Sequence, residues 1–437
     1  MLRAGWLAAL ICYAALALWL LRHSPSIPSD DAFFFVGGTL RFSVLEFRPH
    51  FPGYPGFIFF SKLLHLLGLS SKQAVFFLSL FSALALPPLA TWAARDNGAS
   101  EAGRLLVFFT VLTQPFLSLV GLSMMSDATG IAFFFAAISL MGKEKYGSSG
   151  VCAGLALACR PSFLVPVALV LFAQWCRKKE ARLKLFIATA GTLFLFFGAV
   201  LLLEGSSYMN EALRFTKGHF SVWGNTSFEE SANRASWLDA IATEPIAFAA
   251  LLLLMLFGAL TFAAKPKITP LFIAMLSSVL WTAFAQNPES LRHVLLPSVL
   301  VVVWMASVRV KYTNYTLLIA ALLQLILWPQ ILLNEPNLSP LEQVGNYLSK
   351  QNEGLLITNH GLYTLRDKLG QHQVIDAYYT HSTRIHVQLS NQQRLWKVSS
   401  STPSENWCKA ALDFKGRVPG EKKLLLFSVC PKPDEDY

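Results

Sequence analysis

The chain has 437 residues, of which 54% are hydrophobic and only 14% charged. Soluble globular chains carry about 25% charged residues, so this composition excludes a soluble globular protein and indicates a polytopic membrane protein. The formal charge of +10 does not point to nucleic acid. Residues 334–437 hold 12 Lys and Arg against 11 Asp and Glu, so the excess lies in the apolar part, where it reads as membrane orientation.

The first apolar run, AGWLAALICYAALALWLL at 4–21, is long for a signal peptide, and RHSPSIPSD after it has no small-x-small cleavage site. It reads as a retained first span. GFIFFSKLLHLLGL at 56–69 is short and carries Lys62 and His65. Counting it as a span would reverse every later loop, so it reads as an interfacial helix in an outer loop, 22–72. Further apolar stretches lie at 73–93, 104–121, 127–142, 150–176, 184–204, 245–263, 268–285, 291–308 and 315–333. The 150–176 stretch has basic flanks on both sides and is broken by Arg160-Pro161 and Pro166. It reads as two short helices, up and then down, with Arg160 near the turn.

The basic connections at 95–104, 143–145, 177–184, 265–267 and 309–311 are expected in the cytoplasm. That predicts about eleven spans, with the N-terminus in and the C-terminus out. Loops 22–72, 122–127, 205–244 and 286–290 and the tail then face outward. The fold class expected is mainly α: a transmembrane helical bundle over 1–333 and a small α/β extracytoplasmic domain over 334–437. In the tail, EQVGNYLSKQ reads as a helix, and GLLITN, HQVIDAY, RLWKVSS and KKLLLFSV as strands. Cys12, Cys152, Cys159 and Cys176 fall in apolar runs and read as small core residues. Cys408 and Cys430 fall in the tail, where a disulfide is open if the tail lies outside.

Ionisable residues gather near the outer ends of the predicted spans: Asp30, Asp31, Arg48, His50, Asp127, Arg160, Glu289, Arg292 and His293. Charges at membrane depth are costly, so each is a functional candidate. Each also has a plainer reading. Ser29 could cap a helix whose first turn holds Asp30 and Asp31. Ser126 could do the same before Asp127. Arg160 could snorkel, Arg292-His293 could anchor an interface, and His50 could be polar loop surface.

Together the motifs SDDAFFFVGGTL, RPHFPGYPGFIFF, GLSMMSDATG, GLALACRPSFLVP and ESLRHVLLPSVLVV resemble the GT-C membrane glycosyltransferases. That superfamily includes protein O-mannosyltransferases, oligosaccharyltransferases and the aminoarabinose transferases of lipid A. The order and spacing agree over about residues 1–310. Two departures stand out. Some aminoarabinose-type transferases have Glu-Lys where His50-Phe51 stands, which speaks against that specificity and against a zinc-type site. The acidic pair is Asp-Asp where many relatives have Asp-Glu.

The resemblance implies a polyprenyl-phosphate sugar donor, a lipid, glycan or protein acceptor, and inversion at the anomeric carbon. Asp30 or Asp31 is then the general base, with Asp30 slightly preferred. Arg160 and Arg292 would stabilise the leaving phosphate. Asp127 would orient the acceptor or, with Asp30, hold a divalent metal ion. Loop 205–244, with Tyr208, His219, Trp223 and Trp237, would close over the acceptor. The setting implied is a bacterial inner membrane with an extracytoplasmic site. The rival class is a transporter or flippase of lipid-linked sugars, and a third reading is a membrane scaffold for which the acidic pair is dispensable.

Overall fold

Helix starts in this chain are written in short signals. In the computed structural model, Ser29, Ser70, Ser100, Thr269 and Ser339 each cap a helix by accepting from a backbone N–H. Pro55, Pro115, Pro245, Pro270, Pro329 and Pro340 each stand in the first turn of a helix, Pro270 and Pro340 in the helices that Thr269 and Ser339 cap. The structure describes residues 2–227, 235–310, 312–333, 338–377, 394–401 and 410–428. Cys408, Cys430 and the side chain of Trp223 lie outside the described residues.

In chain order the helices are α1 (Leu2–Leu21), α2 (Asp30–Leu40), α3 (Pro55–Leu66), α4 (Ser71–Asp96), α5 (Glu101–Leu112), α6 (Pro115–Leu122), α7 (Asp127–Gly142), α8 (Tyr146–Cys159) and α9 (Leu164–Arg177). Then come α10 (Ala181–Glu204), α11 (Ser207–Gly218), α12 (Trp237–Thr243), α13 (Pro245–Ala264), α14 (Pro270–Ala285), α15 (Leu295–Val308), α16 (Thr313–Leu325) and α17 (Trp328–Leu332). The chain is a polytopic helical membrane protein. By length and composition five described helices can cross a membrane: α1, α4, α10, α13 and the run Leu291–Val308 that ends in α15. The pair α5 and α6, bent by 55°, makes a sixth if counted as one span.

The other expected spans are present as shorter apolar helices, so eleven counts apolar segments and not full-length spans. Proline supplies the reason at the 150–176 stretch. There α8 ends at Cys159, Pro161–Phe163 forms a 3-10 turn, and Arg160 stands at the break, as the sequence predicts. Helix α3 buries Pro55, Gly56, Phe57, Ile58 and Ser61 and exposes Phe59, Leu63 and Leu66, the two-faced pattern of an interfacial helix.

The basic connections meet one another at one end of the bundle. Arg309 donates to the Gly98 carbonyl, and Lys265 donates to that of Val308 at 3.2 Å. Arg177 donates to Ile268 at 3.1 Å, Lys178 pairs with Glu144 at 3.0 Å, and Lys143 with Asp96 at 3.5 Å. Five loops far apart in sequence thus close a ring of contacts.

The opposite end carries the C-terminal unit. It contains α18 (Pro340–Leu348), β1 (Gly354–Thr358), α19 (Leu362–Lys368), β2 (Gln373–Asp376), β3 (Arg394–Ser399), β4 (Ala410–Phe414) and β5 (Leu424–Ser428). The strand order is β2-β1-β3-β5-β4. β1 runs parallel to β2 and β3, while β5 runs antiparallel to β3 and β4. Strand β4 and helix α19 carry no pattern strong enough to predict. The unit is pinned to the bundle at several helix ends. Ser339 donates to the Ile27 carbonyl at 2.6 Å, and Lys72 pairs with Glu342. Arg417, 4% exposed, donates to the Leu122 carbonyl at 3.1 Å, and the Gly420 N–H donates to Glu244 at 2.6 Å. Val418, between β4 and β5, joins the bundle's own hydrophobic core.

Candidate functional site

The site is built where these two parts meet. Ser29 caps α2, so Asp30 and Asp31 occupy its first turn, as the plainer reading of the pair predicts. The two carboxylates nonetheless point to different partners. Asp30 Oδ1 accepts from both the backbone N–H and the hydroxyl of Thr364, each at 3.0 Å. Burial raises its pKa, and the bonds from Thr364 oppose that shift. Asp31 instead faces His50 Nδ1 at 3.7 Å and Arg292 at 3.5 Å, with its side chain 40% exposed.

The proline-rich loop between α2 and α3 is folded back by two hydrogen bonds between Ser43 and Arg48, at 2.8 and 2.7 Å. Glu204 at the end of α10 accepts from the Val44 N–H at 3.0 Å, and Tyr208 donates to the Pro52 carbonyl at 3.2 Å. So held, the loop buries His50 against Tyr54, with Nε2 3.1 Å from the Tyr54 hydroxyl. Burial lowers the His50 pKa and pushes the Tyr54 hydroxyl up to about 12, so both are neutral near pH 7. Arg48 lies near Glu46, half exposed, and makes no described contact with the cluster.

Deeper in, Asp127 opens α7 and is 2% exposed. Arg160, 4% exposed, reaches it at 3.1 Å, and Arg292 and His293 approach it at 3.6 and 3.8 Å. The Arg160 guanidinium also lies 5.7 Å from the centre of the Tyr54 ring. Close packing fixes this arrangement: a Cβ at Gly130 of α7 would stand 2.6 Å from the Cβ of Arg160. Two guanidinium groups therefore face two carboxylates, with Asp127 and Arg160 buried, Arg292 partly buried and Asp31 more exposed. Among the described atoms, Asp127 Oδ2, Arg160 Nε, Arg292 Nε and His50 Nδ1 are buried without a hydrogen bond. Such polar capacity at depth is costly unless something else uses it.

Two cavities meet at this cluster. The larger, ≈ 610 Å³, lies between helices and is lined by Phe34, Phe47, Phe51, Tyr54, Phe215 and Trp281 together with Arg160 and Arg292. The smaller, ≈ 330 Å³, lies under the C-terminal unit and is lined by Asp30, Glu289, His360 and Lys422 among others. Asp31, Ser290 and Arg292 line both. Glu289 is paired with Lys422 at 2.9 Å at the rim. His360 is held near pKa 4, chiefly by burial and then by Lys422. Of loop 205–244, the described residues Phe215, His219 and Phe220 wall the larger cavity, and Trp237 donates to the Ala283 carbonyl at 3.0 Å.

The donor set does not fit a divalent metal. Asp30 is committed to Thr364, and Asp127 lies between guanidinium groups. Among the described residues no three His, Cys, Asp or Glu side chains converge. Sequence reasoning missed Tyr54, Thr364, His360 and Lys422. Tyr54 lay inside the motif around Pro52; the other three are far away in sequence and no local pattern marks them.

No family model matches the chain, and no curated protein matches it in sequence. In three dimensions it is similar to ArnT from Cupriavidus metallidurans, known from a crystal structure in the apo state. The TM-score is 0.57 over 99% of this chain and 100% of that one, at 11% identity. Likeness at that identity bears on architecture and leaves the reaction to be argued from the site. The chain therefore has an ArnT-like polytopic membrane fold.

Proposed function

We propose that this protein is a membrane glycosyltransferase of the GT-C type. It moves a sugar from a polyprenyl-phosphate donor to an acceptor hydroxyl, with inversion. The observation that carries the proposal is that Asp31 and Arg292 stand in the wall shared by two cavities of different character. The larger cavity suits the donor, since aromatic rings receive isoprenoid and sugar faces and Arg160 and Arg292 receive phosphate. The smaller, more polar cavity suits the acceptor, whether lipid, glycan or protein.

The step is a single displacement. The acceptor oxygen attacks the anomeric carbon while its proton passes to the Asp31 carboxylate. The bond from that carbon to the phosphate oxygen breaks, and its electron pair stays on the phosphate. Attack opposite the leaving group inverts the centre. Arg160 and Arg292 stabilise the charge that develops on the lipid phosphate. Asp127 holds both guanidinium groups in place and is a positioning residue in this scheme. His293 adds a further polar group beside it, and Glu289 with Lys422 borders the acceptor side. Asp31 takes the role of base in preference to Asp30, whose Oδ1 already accepts two hydrogen bonds from Thr364. No step uses a metal. On this proposal, the positive-inside rule assigns the ring of basic loops to the cytoplasm and the site at the other end to the extracytoplasmic side; the setting proposed is a bacterial inner membrane.

Purified protein in detergent, incubated with radiolabelled polyprenyl-phosphate sugars and a native lipid and glycan extract, tests this. Label transfer with inversion by the wild type is expected, with loss by Asp31→Asn of about 10²-fold or more. Movement of donor across proteoliposomes without transfer to any acceptor would sink the proposal and favour a transporter.

A further inference from the structure

The acidic pair at the start of α2 is divided between two parts of the molecule, and the division assigns a task to the C-terminal unit. Strand β1 leads into a turn in which Thr358 Oγ1 accepts from the His360 N–H at 2.9 Å. Gly361 follows at φ 65°, where a Cβ would also collide with Leu341. This turn delivers α19 so that Thr364, 5% exposed, meets Asp30 with two donors. Tyr363 beside it packs edge-on against Phe34 of α2, with ring centres 5.1 Å apart. Phe34 in turn lines the larger cavity. One side of α2 is thus gripped by α19, while Asp31, the next residue along, faces the cavities.

We propose that Thr364 is a positioning residue that acts through Asp30: the C-terminal unit holds α2 so that Asp31 meets both cavities, and Asp30 is a strut rather than a base. This rests on the glycosyltransferase reading only for the identity of the reaction. Docking of the C-terminal unit then governs activity at a site whose reacting groups belong to the bundle. An acceptor that displaces α19 would lose the aligned base, so the acceptor must bind with that unit in place.

The test uses the full-length protein in detergent. Thr364→Val keeps the shape and the backbone donor but removes the hydroxyl. It is expected to lower kcat about 10-fold to 100-fold with donor KM nearly unchanged. Amide hydrogen exchange over residues 30–34 is expected to quicken in the same variant. Thr364→Ser restores the hydroxyl and is expected to recover both readouts. Asp30→Asn, whose amide oxygen still accepts from Thr364, is expected to lose less rate than Asp30→Ala, while Asp31→Asn loses the most. Wild-type exchange in Thr364→Val, or an Asp30→Asn as inactive as Asp31→Asn, overturns the proposal. Exchange needs no turnover, so it decides the positioning role even if the wild type transfers no sugar.

Discussion

Arg160 shows how one side chain can hold a site together. It is the only charge within its 27-residue apolar run, and it ends up buried against Asp127 and Tyr54. A buried ion pair adds little net stability, but removing one partner strands the other. Arg160→Ala is therefore expected to lower stability by about 3–5 kcal/mol, read as a drop in thermal midpoint in detergent. Arg160→Lys keeps the charge and loses the fork that meets phosphate, so it is expected to recover much of the stability but not the activity. Histidines add a pH dependence. His23 and His360 are each held near pKa 4, and His50 is also lowered, chiefly by burial. A depressed histidine pKa means that the unfolded chain binds more protons between the two values. Stability is then complete above about pH 6.5 and is lost as the pH falls toward 4. His360, which faces Lys422 and Glu289, supplies one share. His360→Gln is expected to flatten the fall in thermal midpoint between pH 6.5 and 4; an unchanged slope would remove His360 from the account.

At the scale of elements, α7 and the break after α8 act as one piece. The break was legible because Arg160-Pro161 sits inside an apolar run between two basic flanks. Its geometry was not legible, since it depends on Gly130 letting α7 approach the Cβ of Arg160 and the Phe163 ring. Gly130→Ala is expected to push these elements apart and cost about 1–3 kcal/mol, together with most of the activity. Thermal melts and the transfer assay read the two losses, and a wild-type melt would show that the contact yields freely. Helix α3 illustrates a choice made by charge. Its composition resembles a span, but the side on which the later basic loops must fall made it interfacial. The described burial pattern agrees with that choice.

For the whole molecule, the C-terminal unit is fastened to the bundle through the turn between β4 and β5. Arg417 there is buried, pairs with Glu421 at 2.6 Å and donates to the Leu122 carbonyl. Arg417→Ala strands both Glu421 and that carbonyl. It is expected to loosen the unit, with faster proteolysis and faster amide exchange over 415–423 at a cost of about 3–5 kcal/mol. Protection equal to the wild type would mean that the other anchors suffice.

What the sequence determined by itself is the membrane class, the order of the apolar segments, the end of the bundle where the ionisable groups gather, and the broken stretch at Arg160. These follow from composition, hydropathy runs and charge asymmetry, which act along the chain and need no partner. Only the tertiary structure decided that Asp30 and Asp31 part company, that Asp127 lies between two arginines, and that Tyr54, Thr364, His360 and Lys422 belong near the site. Adjacent residues in a first helical turn point in different directions, so the partner each meets depends on what packs there. Thr364 lies 334 positions from Asp30, and no local preference can announce a contact that close packing of two distant units creates.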